Sequence, residues 1–246
     1  MLIVPQNSSL KEDLATRYRE VRASIAAAAS AAGRNEDCVT LVAVSKGQSA
    51  SAVRSLAHLG AEHFGENYLQ EALPKLDSLA GMELTWHFIG RLQANKTREV
   101  AERFAWVHGI DRLRIAERLA SQRPDSAAPL NVCIQVKMAD VDARSGVAMT
   151  EVAALAAAVA RLPRLQLRGL MCMLPEGLEP AQQIKRFLEI GALQDRLNRG
   201  GARLDTLSMG MSSDYASAIA AGSTMVRIGT ALFGARATPE ARSQES

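Results

Sequence analysis

Lys46 closes the run Leu41-Val42-Ala43-Val44-Ser45 and is followed at once by Gly47-Gln48-Ser49. The consecutive apolar residues ahead of it fit a strand buried on both faces, as in parallel sheets, and the next three fit a turn into a helix. A lysine at the C-terminal tip of such a strand stands where α/β folds place their chemistry. Partial burial disfavours its charged form, and the neutral amine is the nucleophile that attacks an aldehyde to give a Schiff base. Taken by itself, the segment is explained more simply by a lysine reaching out of a strand end into solvent.

A second set of residues changes that balance. Ser208-Met209-Gly210-Met211-Ser212-Ser213 and Gly229-Thr230 are short, polar, glycine-containing stretches late in the chain. Glycines let a backbone approach an anion closely, and N–H groups at a helix start bind phosphate. Ser208 and Thr230 add hydroxyl donors, and Arg227 offers a charged fork that reaches a phosphate. Ser212-Ser213-Asp214 reads as a helix cap. An ordinary capping loop explains the first stretch alone, but less well when the second accompanies it.

The elements that would position these residues follow a regular rhythm. A helix is expected over about 8–32, then strands at Thr40–Ser45, His63–Gly65, Thr85–Ile89 and Trp106–His108. Helices from about Ser49 to Leu59, Tyr68 to Leu79, Asn95 to Phe104 and Arg112 to Ser121 separate and follow them. The second half repeats the pattern with strands Asn131–Val136, Leu165–Met171, Thr206–Ser208 and Met225–Ile228. Its helices run over Thr150–Arg161, Pro180–Asn198 and Asp214–Ala221. The connections are short, with no linker long enough to divide domains. Alternating βα units argue for a parallel sheet, and eight of them close more naturally into a (β/α)8 TIM barrel than into the alternative, an open doubly wound sheet. In a barrel, Lys46 and the two late loops share one mouth. An amine for an aldehyde and a cradle for a phosphate describe a pyridoxal 5′-phosphate site.

Composition narrows the rest. The 246 residues suit one barrel domain over 1–246, with a frayed polar tail at about 238–246. A net charge of +3 and only 4% aromatic residues give no footprint for nucleic acid or a membrane surface. Cys38, Cys133 and Cys172 are too scattered for a disulfide framework or a metal pair. No signal-type segment or membrane-length apolar run is present, so a cytoplasmic protein is expected. His58, His63, His87 and His108 lack metal-site spacing, and His87 reads as a buried, hydrogen-bonded strand residue. Gly210-Met211-Ser212-Ser213-Asp214 lacks the final glycine of a nucleophile elbow. The methionines around it read as core, with Met209 a candidate to pack on a cofactor ring.

The chain resembles the pyridoxal phosphate homeostasis proteins. The matching stretches are Val42–Lys46, His63–Tyr68, Trp86–Gly90, Leu92–Lys96, Arg168–Met171, Leu207–Ser212 and Val226–Gly234, which span almost the whole chain in order. The resemblance implies the fold-type III barrel of bacterial alanine racemase without its C-terminal β domain, and the cofactor as an aldimine on Lys46. It implies a phosphate seat from Ser208, Met209 and Gly210 with Gly229 and Thr230, Arg227 beside the cofactor, and Asn67 near the ring. Members of that family bind the cofactor without established turnover. They are held to buffer it or deliver it to apo-enzymes, which meet them transiently, and to affect amino-acid and keto-acid balance. The chain departs from the family where Gln48 stands in place of a usual second lysine. Lys137, Arg144 and Arg91 also differ from the common residues at the rim.

A racemase needs an acid–base group on each face of the cofactor. In the racemases that this barrel resembles, one comes from the domain after the barrel, and this chain leaves no room for it. A monomeric carrier is therefore expected; the alternative is a small cofactor-dependent racemase or lyase.

Overall fold

The computed structural model describes the backbone of residues 6–138 and 146–234, and side chains from residue 12 onward within them. Arg144 and the tail at 238–246 lie outside the described residues. Strands β1 (Thr40–Val44), β2 (His63–Glu66), β3 (Thr85–Phe88) and β4 (Trp106–Ile110) alternate with helices α2 (Ala50–Ala57), α3 (Leu69–Ser78) and α4 (Thr97–Arg103). Helix α5 (Leu113–Gln122) leads to β5 (Leu130–Gln135), α6 (Val152–Val159), β6 (Leu165–Met171) and α7 (Pro180–Arg199). The circuit ends with β7 (Thr206–Ser208), α8 (Tyr215–Ala220), β8 (Met225–Ile228) and a short α9 (Thr230–Phe233), and α1 (Gln6–Ala31) precedes it all.

The strands close into a parallel barrel in sequence order, β1 through β8. Closure is made by β1 against β8, from Thr40 opposite Met225 to Ala43 opposite Ile228. Helix α1 packs over that seam. Arg17 Nε donates to the Leu232 carbonyl at 2.8 Å, and Arg34 donates to the carbonyls of Ile219 and Ser223, each at 2.8 Å. These bonds tie α1 to the last turn of α8, to the turn that follows it and to α9.

Local signals explain most element ends. Pro180 at the first turn and the reciprocal Glu179–Gln182 capping box start α7, and the Ser49 side chain caps α2. Some ends differ from the sequence reading. Helix α4 begins at Thr97 because Ala94–Lys96 forms a tighter 3-10 turn. The alanine-rich segment becomes helix only from Val152, after a turn in which Glu151 N–H donates to the Ala148 carbonyl at 2.9 Å. Strands β2 and β4 run on to Glu66 and Ile110, held by their neighbours' ladders.

The main apolar core lies between the strands and the helices, where Val53, Leu56, Phe64, Ile115, Leu119, Phe187 and Ile190 are fully buried. A smaller cluster of Val42, Trp106, Cys133, Met171 and Met225 comes from five different strands and no helix. It fills the barrel interior, as packed barrels require.

Candidate functional site

The strand ends open on a cavity of about 550 Å³ at the C-terminal mouth. Lys46 lies on its wall, half-buried, one residue beyond buried Ser45. The turn that carries it is tight: Gln48 N–H donates to the Ser45 carbonyl at 3.0 Å, and Gly47 takes φ +73°. That left-handed conformation suits glycine. Glu71 of α3 accepts from the Gly47 N–H at 2.8 Å and fixes the turn from outside.

Behind the lysine lies an ion pair that sequence reasoning missed. Lys75 Nζ donates to Glu66 Oε1 at 2.6 Å and to the Ser45 carbonyl at 2.7 Å, while Ser45 Oγ donates to the same Glu66 oxygen at 2.6 Å. Both charged groups are buried. Burial raises the Glu66 carboxyl, opposed by its bonds to Lys75 and Ser45. An acid and a base brought together by a β2–α3 contact leave no helical or strand spacing to detect. The network anchors the backbone from which Lys46 projects.

Arg227, Gly229 and Thr230 line the same cavity as Lys46, at the end of the neighbouring strand β8, and Asn67 lines it too. Arg227 is nearly buried, donating through Nη1 to the Ser208 carbonyl and Oγ, each at 2.6 Å, and through Nη2 to the Cys172 carbonyl at 2.9 Å. Burial lowers its pKa from the usual guanidinium value. Asn67 Oδ1 is buried without a hydrogen-bond partner among the described residues. A Cβ on Gly229 would sit 3.1 Å from the Val44 carbonyl oxygen, so its absence lets β8 exit close against β1.

Ser208, Met209 and Gly210 do not line this cavity. Ser208 is fully buried and its hydroxyl is engaged by Arg227 and His108. Met209 is fully buried in the main core. Gly210, at φ +93°, turns the chain, and its carbonyl accepts from the Arg227 N–H at 3.0 Å. The loop reaches the cavity one residue later at Met211; Ser212 and Ser213 give the polar wall, and the apolar lining comes from Met173, Met211, Ile89 and Val44. Asp214 shapes this loop by accepting from the Met211 N–H at 2.6 Å, rather than capping α8 with its side chain.

Gln48 also lines the cavity, so a neutral amide stands at the rim position. Arg91 lies instead in a larger neighbouring groove of about 950 Å³ that shares Asn67. Lys137 lies outside both sets of lining residues. Burial pushes the thiols of Cys133 and Cys172 up to about 12, which leaves both protonated and unreactive. Among the described residues no group of three or more His, Cys, Asp or Glu is placed to hold a metal ion. The lining of the mouth cavity suits an organic ligand: an amine for a carbonyl, hydroxyls and a cation for an anion, and apolar walls for a flat ring.

The family model described as the alanine racemase N-terminal domain matches residues 18–237 of this closed parallel barrel. The chain is 52% identical over 223 residues to the pyridoxal phosphate homeostasis protein of Pseudomonas aeruginosa, covering 91% of this chain and 96% of the relative. The Escherichia coli protein of the same name is 49% identical over 227 residues, covering 91% and 97%. The solved structure of PipY from Synechococcus elongatus, with pyridoxal phosphate bound, superposes with a TM-score of 0.79 at 36% identity over 90% of this chain and 100% of that one. This chain belongs to the pyridoxal phosphate homeostasis protein family.

Proposed function

We propose that the protein binds pyridoxal 5′-phosphate in the cavity at the C-terminal mouth and acts in homeostasis of that cofactor, without efficient turnover. The observation that carries the reading is the meeting of Lys46, Asn67, Arg227, Gly229 and Thr230 on one cavity of about 550 Å³. When bound, the cofactor would supply an aldehyde, and Lys46 on the cavity wall would hold it through its Nζ amine. Thr230, Ser212 and Ser213 offer hydroxyls to the phosphate beside the Gly229 backbone. Ser208 and Gly210 act from behind by holding Arg227, and Met209 supports them from the core. The buried Asn67 Oδ1, without a partner among the described residues, marks a place where a ligand donor completes the hydrogen bonding.

The tyrosines support a carrier over a racemase. Tyr68 lines the neighbouring groove, Tyr18 a cavity at the opposite mouth, and Tyr215 packs on the main core. An acid–base pair flanking a ring is thus not supplied by tyrosine from the cavity walls. No helix among the described residues is long and apolar enough to cross a membrane. On this reading the protein works in the cytoplasm as a monomer and meets apo-enzymes transiently.

The test is an absorption spectrum of the purified protein before and after borohydride reduction, with the modified peptide located by mass spectrometry. The expected result is a yellow band that reduction removes and a label on Lys46, both absent in Lys46→Ala. A protein that cannot be loaded overturns the binding reading. Sustained, Lys46-dependent turnover of an amino acid at about 1 per second or faster overturns the carrier reading.

A further inference from the structure

Five polar side chains run in series through the barrel interior, and the proposed function uses only the last two. His63 Nδ1 lies 2.9 Å from His87 Nε2, His87 Nδ1 lies 2.9 Å from His108 Nε2, and His108 Nδ1 lies 2.8 Å from Ser208 Oγ. Arg227 Nη1 completes the series at 2.6 Å from the same hydroxyl. The step from His108 on β4 to Ser208 on β7 crosses the lumen, because those strands are not neighbours in the sheet. His87 and His108 are fully buried, and Trp106 stacks on His87 with centroids 5.4 Å apart and planes 15° from parallel. His63, only half-buried, opens on a cavity of about 490 Å³ at the N-terminal mouth.

Counting protons gives the series a direction. A neutral imidazole carries one ring N–H, so each contact between histidines holds one proton. Arg227 can only donate, so Ser208 Oγ accepts from it, and among the described residues His108 Nδ1 is the acceptor in reach of the hydroxyl's own proton. His108 is then the Nε2–H tautomer and donates to His87, which donates in turn from Nε2 to His63. A protonated His63 carries N–H on both nitrogens and can no longer accept from His87. The series must then reverse, until His108 Nδ1–H donates to Ser208 and displaces the hydroxyl proton from its acceptor.

We propose that His63, His87 and His108 are positioning residues for Arg227, and that a proton on His63 at one mouth of the barrel loosens the seat of Arg227 at the other. Burial, together with Arg227, holds His108 down to about 3, and burial with its two histidine neighbours holds His87 well below the usual range. Both rings therefore stay neutral and respond by tautomer, not by charge. Burial also lowers His63, while the Glu62 carboxylate opposes it. Tyr18, Arg22, Glu36 and Asp37 share the cavity of His63, and Asp214 and the two buried thiols surround Arg227. Linkage is reciprocal, so a ligand that needs Arg227 in its present seat makes His63 harder to protonate. That consequence rests on the cofactor reading; the relay itself does not.

The experiment is nitrogen NMR of the protein, without added cofactor, labelled in its histidine rings and titrated with acid. The expected result is His87 and His108 as Nε2–H tautomers near neutral pH, both passing to Nδ1–H as His63 takes up its proton. In His63→Gln the terminal amide accepts from His87 without titrating, and both tautomers stay fixed. In parallel, the dissociation constant for pyridoxal 5′-phosphate should rise about 5-fold or more further in the wild type than in His63→Gln across the His63 titration, since the ligand's own phosphate and the Lys46 amine titrate alike in both. Tautomers that hold still while His63 titrates overturn the proposal. Tautomers that switch in a protein unable to bind the cofactor leave the relay standing and remove the cofactor reading alone.

Discussion

A methyl group on Gly90 would fall 2.1 Å from the carbonyl oxygen of Asn67 and 2.9 Å from its Cα. The exit of β3 thus rests directly on the exit of β2, with no room for a side chain between them. Asn67 borders both the cavity at the C-terminal mouth and the neighbouring groove, so this contact sets where its amide points. Gly90→Ala must displace backbone, since the obstructing atoms cannot swing aside. Urea denaturation should show a loss of about 1–3 kcal/mol. Cofactor affinity, measured by fluorescence titration, should fall as well, and a folded variant with unchanged affinity would remove Asn67 from the site.

The Glu66–Lys75 pair makes a sharper prediction. Lys75→Met leaves a buried carboxylate whose second oxygen already has no partner among the described residues. Breaking such a pair from one side costs about 3–5 kcal/mol. Replacing both, as in Lys75→Met with Glu66→Leu, should restore most of that loss. Because burial raises the Glu66 carboxyl, the single variant's deficit should shrink as pH falls and the acid takes a proton. Denaturation curves of both variants at two pH values check the sign. A double variant no more stable than the single would show that Ser45 needs the charge itself.

Arg227→Lys retains a cation but not the fork. One ammonium cannot reach the Ser208 hydroxyl, the Ser208 carbonyl and the Cys172 carbonyl with the present geometry. Groups left unpaired in a buried setting cost about 1–3 kcal/mol each, so a stability loss of that size or more is expected. Cofactor binding should weaken in the same variant. Equal denaturation midpoints for wild type and variant would mean that a lysine repacks the seat.

Acid should destabilise the fold through its core histidines. His87 and His108 are neutral when folded, whereas the unfolded chain takes protons on both near pH 6.5. Their stabilisation is complete above the unfolded value and is lost as pH falls toward the folded values, for His108 about 3. Each contributes a slope of about 1.4 kcal/mol per pH unit in that window. Urea midpoints at pH 7, 6 and 5 should decline accordingly, and His108→Gln should decline less steeply. Parallel slopes for the two proteins would place the acid sensitivity elsewhere.

The barrel was legible because its signals are local. Four apolar residues before Lys46, the Leu165–Met171 run and Pro180 with its capping box each announce an element within a few positions. The short α9 escaped notice because Thr230–Phe233 is a single turn started by Gly229, too brief to show a period. Lys46, Asn67, Arg227, Gly229 and Thr230 were readable as strand-end residues, and they do share one cavity. The placement of Ser208 and Met209 was not, because alternation along a strand of three residues is too short to tell a floor from a wall. The histidine series lay furthest from view. His108 and Ser208 stand 100 positions apart and meet only across a closed lumen.

Ring closure has a consequence for how the protein is made. Lys46 follows the first strand and Thr230 the last, and only the β1–β8 seam sets them side by side. A chain emerging from the ribosome therefore completes the strand end that carries Lys46 long before the other side of the seam exists. On the proposed reading, a ligand held by Lys46 and Thr230 together is retained only once β8 has been synthesised and has docked. Retention of such a ligand would then report that translation and circular pairing have both finished.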